Sequence, residues 1–105
     1  MAPELSIVIP VHDEVDNVGP LADEIRAALE GCLDYEVVFV DDASEDGTAE
    51  RLRELRRATP ALRLLRHRRN RGQSAALHSG VRAARAPWVA TLDGDGQNDP
   101  ADIPR

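Results

Sequence analysis

The sequence predicts an α/β domain built on an open, mainly parallel sheet with helices on both faces, in the order βαβαβαβ. Three observations lead there. Short apolar runs of strand length recur along the chain, the segments between them repeat apolar residues at helical spacing, and the distinctive polar residues follow directly after the runs.

Leu5 to Val11 (LSIVIPV) is rich in β-branched residues, as a strand buried on both faces requires. Asp16 or Asn17 is expected to cap the helix that follows, with Pro20 in its first turn, and Leu21, Ile25, Ala28 and Leu29 form its apolar stripe. Gly31 offers a stop. Glu36 to Val40 reads as the second strand and runs into Asp41-Asp42. Ser44-Glu45-Asp46-Gly47-Thr48 then turns into a helix whose inner face is Ala49, Leu52, Leu55 and Ala58. Leu62, Leu64 and Leu65 mark a third strand interrupted by arginine. Asn70-Arg71-Gly72-Gln73-Ser74 opens a third helix running to about Arg85, with Ala76, Leu77, Gly80, Val81 and Ala84 inward. Trp88 to Leu92 is the fourth strand, with Trp88 read as core, and its outer side is expected to be an unpaired edge.

Length and composition limit the alternatives. A chain of 105 residues makes one domain, and 42% hydrophobic with 30% charged residues is a globular balance. The net charge of −6 argues against a nucleic-acid partner, which selects for excess cations. All 13 cationic side chains are arginine, so no mechanism that needs a lysine is available. Nine of them fall between Arg51 and Arg71, where they read as a solvated face. Cys32 is the single cysteine; it excludes an internal disulfide, fits a reducing compartment and reads as packing. No signal peptide and no membrane-length apolar run is evident, so a cytoplasmic chain, peripheral to a membrane at most, is expected.

Parallel α/β sheets bind ligands outside the carboxyl ends of their strands. His12, Asp13 and Glu14 follow the first strand, Asp41 and Asp42 the second, and Asp93 and Asp95 the fourth. Two unit charges about 5 Å apart at an effective dielectric of ~20 repel by roughly 3 kcal/mol, so such a rim needs shared protons or a cation. Asp93-Gly94-Asp95 lets two carboxylates address one ion, and with the Gln97 amide it offers hard oxygen ligands suited to magnesium, manganese or calcium. An EF-hand is excluded because its sixth and twelfth positions would be Asn98 and Pro104. No GxGxxG and no P-loop is present, so a phosphate ligand would have to be held through the metal. A receiver-type phosphoacceptor would need the lysine that is missing. A phosphotransferase with Asp93 as nucleophile would expect its acidic motif after an early strand.

Four segments together carry a resemblance: Ile7-Val8-Ile9-Pro10-Val11-His12-Asp13-Glu14, Val40-Asp41-Asp42-Ala43-Ser44-Glu45-Asp46-Gly47-Thr48, Asn70-Arg71-Gly72-Gln73-Ser74-Ala75-Ala76 and Asp93-Gly94-Asp95-Gly96-Gln97-Asn98-Asp99-Pro100. In order and spacing the sequence resembles family 2 glycosyltransferases, in the branch of dolichol-phosphate mannose synthases and bacterial polyprenyl-phosphate sugar transferases. The resemblance implies a GT-A fold, with residues 1–105 as the N-terminal, nucleotide-sugar-binding half. It implies inverting transfer of a sugar from UDP-sugar or GDP-sugar to a polyprenyl phosphate, with Mg2+ or Mn2+, by a full-length protein that could be membrane-anchored. Carried over by position, Pro10, His12 and Glu14 would line the nucleoside pocket, and Val40 and Asp42 would lie against base and ribose. Asp93, Gly94 and Asp95 would border the diphosphate, and Asp93, Asp95 and Gln97 would hold the metal. His12 replaces a frequent aromatic residue and Asp13 a frequent asparagine. His67 and His78 have no evident partner and read as non-functional. The acceptor-side catalytic residues would lie after Arg105. The alternative reading is a non-catalytic nucleotide-binding remnant.

Overall fold

A computed structural model of the chain describes residues 3–92. Its elements alternate as expected: β1 (Leu5–Val11), α1 (Val15–Leu29), β2 (Tyr35–Asp41), α2 (Thr48–Ala58), β3 (Leu62–Arg66), α3 (Gln73–Ala83) and β4 (Trp88–Thr91). The four strands form one parallel sheet in the order β3-β2-β1-β4. β1 and β2 pair over their full lengths, from Leu5 opposite Tyr35 to Val11 opposite Asp41.

Strand periodicity sends alternate side chains to opposite faces. Ile7, Ile9, Val11, Val37 and Phe39 pack under α1 and α2 with Val18, Leu21, Ile25, Leu29 and Leu52. Val8, Val38 and Val40 face the other way and meet Ala76 of α3. Burial on both sides explains why β1 and β2 read as continuous apolar runs. α3 seats closely because Gly80 has no side chain: a Cβ there would lie 2.3 Å from Val8 Cγ1.

The crossovers fix where a ligand can enter. α1, which follows β1, lies on one face, whereas α3, which leads into β4, lies on the other. β1 and β4 are neighbours, so the strand order reverses between them. The crevice outside their carboxyl ends is the topological switch point.

Several local expectations are corrected. α1 begins at Val15 with Glu14 in the N-cap position, so neither Asp16 nor Asn17 caps it, and Pro20 lies inside the helix. Lacking an amide, Pro20 gives up one helical hydrogen bond, which α1 tolerates because its length and buried face hold it. α3 stops at Ala83, short of Arg85. Val81 is 45% exposed, because the narrow face that meets the sheet is taken by Ala76 and Gly80. Ala58 is exposed at the last turn of α2, and Cys32 is exposed after α1. Trp88 is 74% exposed rather than core, since among the described residues β4 is an edge strand paired only with β1 and the helices pack on β1–β3.

Candidate functional site

The carboxyl ends of the three long strands bring His12, Asp42 and His67 to one rim. His12 Nδ1 lies 2.7 Å from the Asp42 carbonyl oxygen, and its Nε2 stands 3.4 Å from both Asp13 Oδ2 and Asn70 Nδ2. His67 Nδ1 lies 2.7 Å from Asp42 Oδ1, and its Nε2 lies 2.9 Å from Ser79 Oγ of α3. His67 therefore has two partners, which corrects the expectation that it has none. The signal was present in the sequence: His67 follows β3 directly, the same strand-end position that singled out His12 after β1.

Asp42 is the centre of this cluster. Its side chain is only 5% exposed, and besides His67 it accepts the Arg71 amide on Oδ1 at 2.9 Å and the Gly72 amide on Oδ2 at 2.8 Å. Burial alone would push its carboxyl up, but the Arg71 amide, the His67 ring and the Gly72 amide together hold it below the ordinary carboxylate range. A carboxylate offers about four acceptor positions, so three protein donors leave room for a further hydrogen bond from a ligand. Gly72 reaches Oδ2 with φ 93° and ψ 162°, a conformation close to glycine-only.

Two turns beneath the rim are laced together by the serine, aspartate and threonine of the segment after β2. Asp13 N donates to Ser44 Oγ at 2.8 Å, and Asp13 Oδ1 accepts the Glu45 amide at 2.8 Å. Glu14 N donates to Thr48 Oγ1 at 3.0 Å and Val15 N to Asp46 Oδ2 at 3.2 Å. These are open amides at the start of α1, so α1 is capped by side chains more than 30 residues away. Asp46 also accepts the Thr48 amide at the start of α2. Asp13 and Ala43 both have left-handed backbone, φ 54° and 61°. For alanine this conformation costs about 1–2 kcal/mol. It persists because both neighbours are pinned: Asp42 N donates to Val11 O, and Ser44 N donates to Asp41 Oδ1.

Glu14 is half-buried at the start of α1, where its Oε2 accepts Asn17 Nδ2 at 2.6 Å. Pro10 and Val40 pair in register, and both are buried. The Val40 side chain packs with Val8, Val38 and Ala76 of α3 in the second core cluster. Asp93, Gly94, Asp95 and Gln97 lie outside the described residues. Among the described residues no three His, Cys, Asp or Glu side chains converge to hold a metal. Leu92, directly before Asp93, is tied by its amide to Val8 O at 3.1 Å, which carries the pairing of β4 with β1 one residue past Thr91.

Beside Asp42 the surface turns basic. Arg66, His67, Arg68, Arg69 and Arg71 line one shallow depression, and Arg71, His78, Ser79 and Arg82 line the next. Arg66 pairs with the buried Asp41, Nε to Oδ2 at 3.3 Å. Arg68, Arg69, Arg71 and Arg82 have no carboxylate partner among the described residues. The arginine-rich stretch is thus more than the solvated helix face expected of it: part lies on α2, part in β3, and part faces the rim.

A parallel sheet in this order, with acidic and imidazole groups at the carboxyl ends of its strands, matches the GT-A fold of solved glycosyltransferases. The solved mannosyltransferase PcManGT from Pyrobaculum calidifontis, in complex with GDP-Man and Mn2+, superposes with a TM-score of 0.81 at 30% identity, over 90% of this chain and 28% of that one. The chain belongs to glycosyl transferase family 2, whose pattern matches residues 6–105. It is 44% identical over 103 residues to a dodecaprenyl-phosphate galacturonate synthase of Rhizobium johnstonii, covering 96% of this chain and 30% of the relative. It is 35% identical over 102 residues to a dolichol-phosphate mannosyltransferase of Pyrococcus furiosus, covering 97% of this chain and 28% of the relative. The chain thus spans under a third of the length of these relatives.

Proposed function

We propose that the chain is the donor-binding half of an enzyme that transfers a sugar, with inversion, from a UDP-sugar or GDP-sugar to a polyprenyl phosphate. The observation that carries this reading is the contact of His12 with Asp42 at the carboxyl ends of β1 and β2, in a sheet that superposes on the mannosyltransferase solved with GDP-Man and Mn2+. His12 and Asp42 border the nucleoside, with Asp42 offering its remaining acceptor position to a ribose hydroxyl or a base N–H. Asp93, Asp95 and Gln97 are the residues that would hold Mg2+ or Mn2+, which neutralises a diphosphate leaving group when bound. The relatives named for dodecaprenyl and dolichol phosphates support the acceptor class, and the neighbour solved with GDP-Man and Mn2+ supports the donor and the metal.

A lipid phosphate is already ionised at neutral pH, so this acceptor needs no general base to become a nucleophile. Arg68, Arg69 and Arg71, which have no carboxylate partner among the described residues, suit an anionic partner at a membrane surface, where each cation contributes about 1 kcal/mol. No helix among the described residues is long and apolar enough to cross a membrane.

Calorimetric titration of UDP and GDP with and without manganese tests the reading. At least one nucleotide is expected to bind in a metal-dependent manner, and Asp95→Ala is expected to abolish that binding. Binding that ignores manganese, or that survives Asp95→Ala unchanged, overturns it.

A further inference from the structure

We propose that His67 is a positioning residue for donor binding: its Nδ1–H holds the Asp42 carboxylate, which in turn holds the Asn70–Gly72 loop against the rim. The inference rests on the donor-site reading above, and it assigns a function to a histidine outside the sequence segments that carry the family resemblance.

The geometry runs through three elements. His67 is fixed to the sheet by its own amide, which donates to Asp41 O at 2.9 Å. Its side chain is 10% exposed and lies between Asp42 at the end of β2 and Ser79 on α3. An ionised Asp42 can only accept, so Nδ1 must carry the proton. It does so in both the neutral ring and the imidazolium, and the Asp42 bond persists in either state. With Nδ1 protonated in the neutral ring, Nε2 accepts from the Ser79 hydroxyl. The tautomer and the ring plane are therefore both set by the protein.

What His67 positions is the acceptor geometry of Asp42. Among the described residues, Oδ1 receives His67 and the Arg71 amide, while Oδ2 receives only the Gly72 amide. Without the imidazole the carboxylate keeps the two loop amides but loses its tie to the end of β3, so its open acceptor position moves with the loop. Asn70 Oδ1 also accepts the Gly72 amide at 3.0 Å, and its Nδ2 approaches His12, so the disturbance reaches the imidazole on β1.

An Asp–His–Ser series is also the arrangement that activates a hydroxyl as nucleophile. The fold argues against that use here. Ser79 is the seventh residue of the 11-residue α3, where backbone amides are committed to carbonyls one turn back and cannot form an oxyanion hole.

Two substitutions separate positioning from space-filling. In His67→Asn the amide nitrogen falls near the place of Nδ1 and can still donate to Asp42. In His67→Gln, which is nearer to histidine in size, it extends toward Ser79 instead. Binding of UDP and GDP in the presence of Mn2+ is measured by calorimetry on the wild type, both variants and Ser79→Ala, with thermal melts as the folding control. His67→Asn is expected to bind within about threefold of wild type, and His67→Gln to bind about tenfold more weakly, the size expected for losing a hydrogen bond to a charged group. Ser79→Ala is expected to bind about two- to threefold more weakly, a neutral hydrogen bond being worth less. Amide resonances of Arg71 and Gly72 are expected to shift in His67→Gln and to stay near wild type in His67→Asn. The reverse order, or equal binding by all four proteins, overturns the positioning role while leaving the donor site standing. A wild type that binds neither nucleotide overturns both. Should His67→Gln fail to fold, Arg71 and Gly72 resonances shifted in His67→Asn as far as in Asp42→Ala overturn the inference, and unshifted resonances support it.

Discussion

Ser6 and Glu36 face each other across β1 and β2, and Ser6 Oγ donates to Glu36 Oε2 over 2.6 Å at the end of the sheet remote from the candidate site. Glu36 is 5% exposed and also accepts Arg63 Nη1 at 2.9 Å and the Arg85 amide at 2.7 Å. Arg63 donates in turn to Ala83 O, and Ser6 Oγ accepts the Ala86 amide. One buried carboxylate therefore fastens the turn between α3 and β4 to the two central strands. Glu36→Ala strands these donors. Because Arg63 keeps some access to water, the loss is placed below that of a fully buried pair, at about 2–3 kcal/mol. Urea denaturation measures it, and a loss well under 1 kcal/mol would show that the network is ornamental.

Acid should unfold this chain through three carboxylates. Burial opposes ionisation at Glu36, Asp42 and Asp46, yet hydrogen bonds outweigh it and hold each below its ordinary value of 4.5, 3.8 and 3.8. At Glu36 the donors are Ser6, Arg85 and Arg63; at Asp42 they are Arg71, His67 and Gly72; at Asp46 they are Thr48 and Val15. The unfolded chain takes up these protons first, so the stabilisation is complete above about pH 5 and declines as pH falls through the ordinary carboxylate range toward the lower folded values. Urea midpoints are expected to be flat from about pH 7 to 5 and to drop below it. Glu36→Gln should flatten part of that drop; an unchanged profile would remove Glu36 from the account.

Gly80→Ala sets two effects against each other. Alanine is favoured over glycine inside a helix by about 1 kcal/mol. Its Cβ, however, would lie 2.3 Å from Val8 Cγ1 and 3.0 Å from Val40 Cγ2, so the helix or the strand must shift. Overpacking of this kind costs about 1–3 kcal/mol, and the net change is expected to be a lower melting temperature. A higher one would mean that α3 does not sit as closely as described.

Trp88 is the only tryptophan of the chain and is 74% exposed. Its fluorescence should peak near that of free tryptophan in water and be quenched readily by acrylamide. Together with Val89 it leaves an apolar edge on β4, and such an edge invites association with another strand. Val89→Lys is expected to reduce concentration-dependent association in analytical ultracentrifugation without lowering the melting temperature.

The sequence carried the sheet because β1 and β2 are buried on both faces and need unbroken apolar runs. It carried the part of the rim formed by His12 and Asp42, because both follow directly after strands that their apolar runs mark, whereas Asp93 and Asp95 lie outside the described residues. It did not carry the cap of α1, since the side chains of Asp46 and Thr48 that serve it come from the other turn. Nor did it give His67 a partner: Asp42 lies 25 residues away, and Ser79 meets the ring only once α3 crosses the sheet. Trp88 looked like core by its type, but an edge position outweighs hydrophobicity. Val40 has a single side-chain direction, and the pleat spends it on α3.

The two sides of the sheet are unequally filled. Among the described residues, 13 buried side chains form the cluster under α1 and α2, and four form the cluster under α3. α3 is accordingly tied down by polar contacts as well, through Gly72 at its start, Ser79 in its middle, and Ala83 and Arg85 at its end. Native-state amide exchange should therefore release α3 and the segment before it at a lower opening free energy than α1 or the central strands. The edge of the cleft formed by Arg71 and Gly72 would then be its pliable wall, able to part and reclose while the rest of the molecule stays folded.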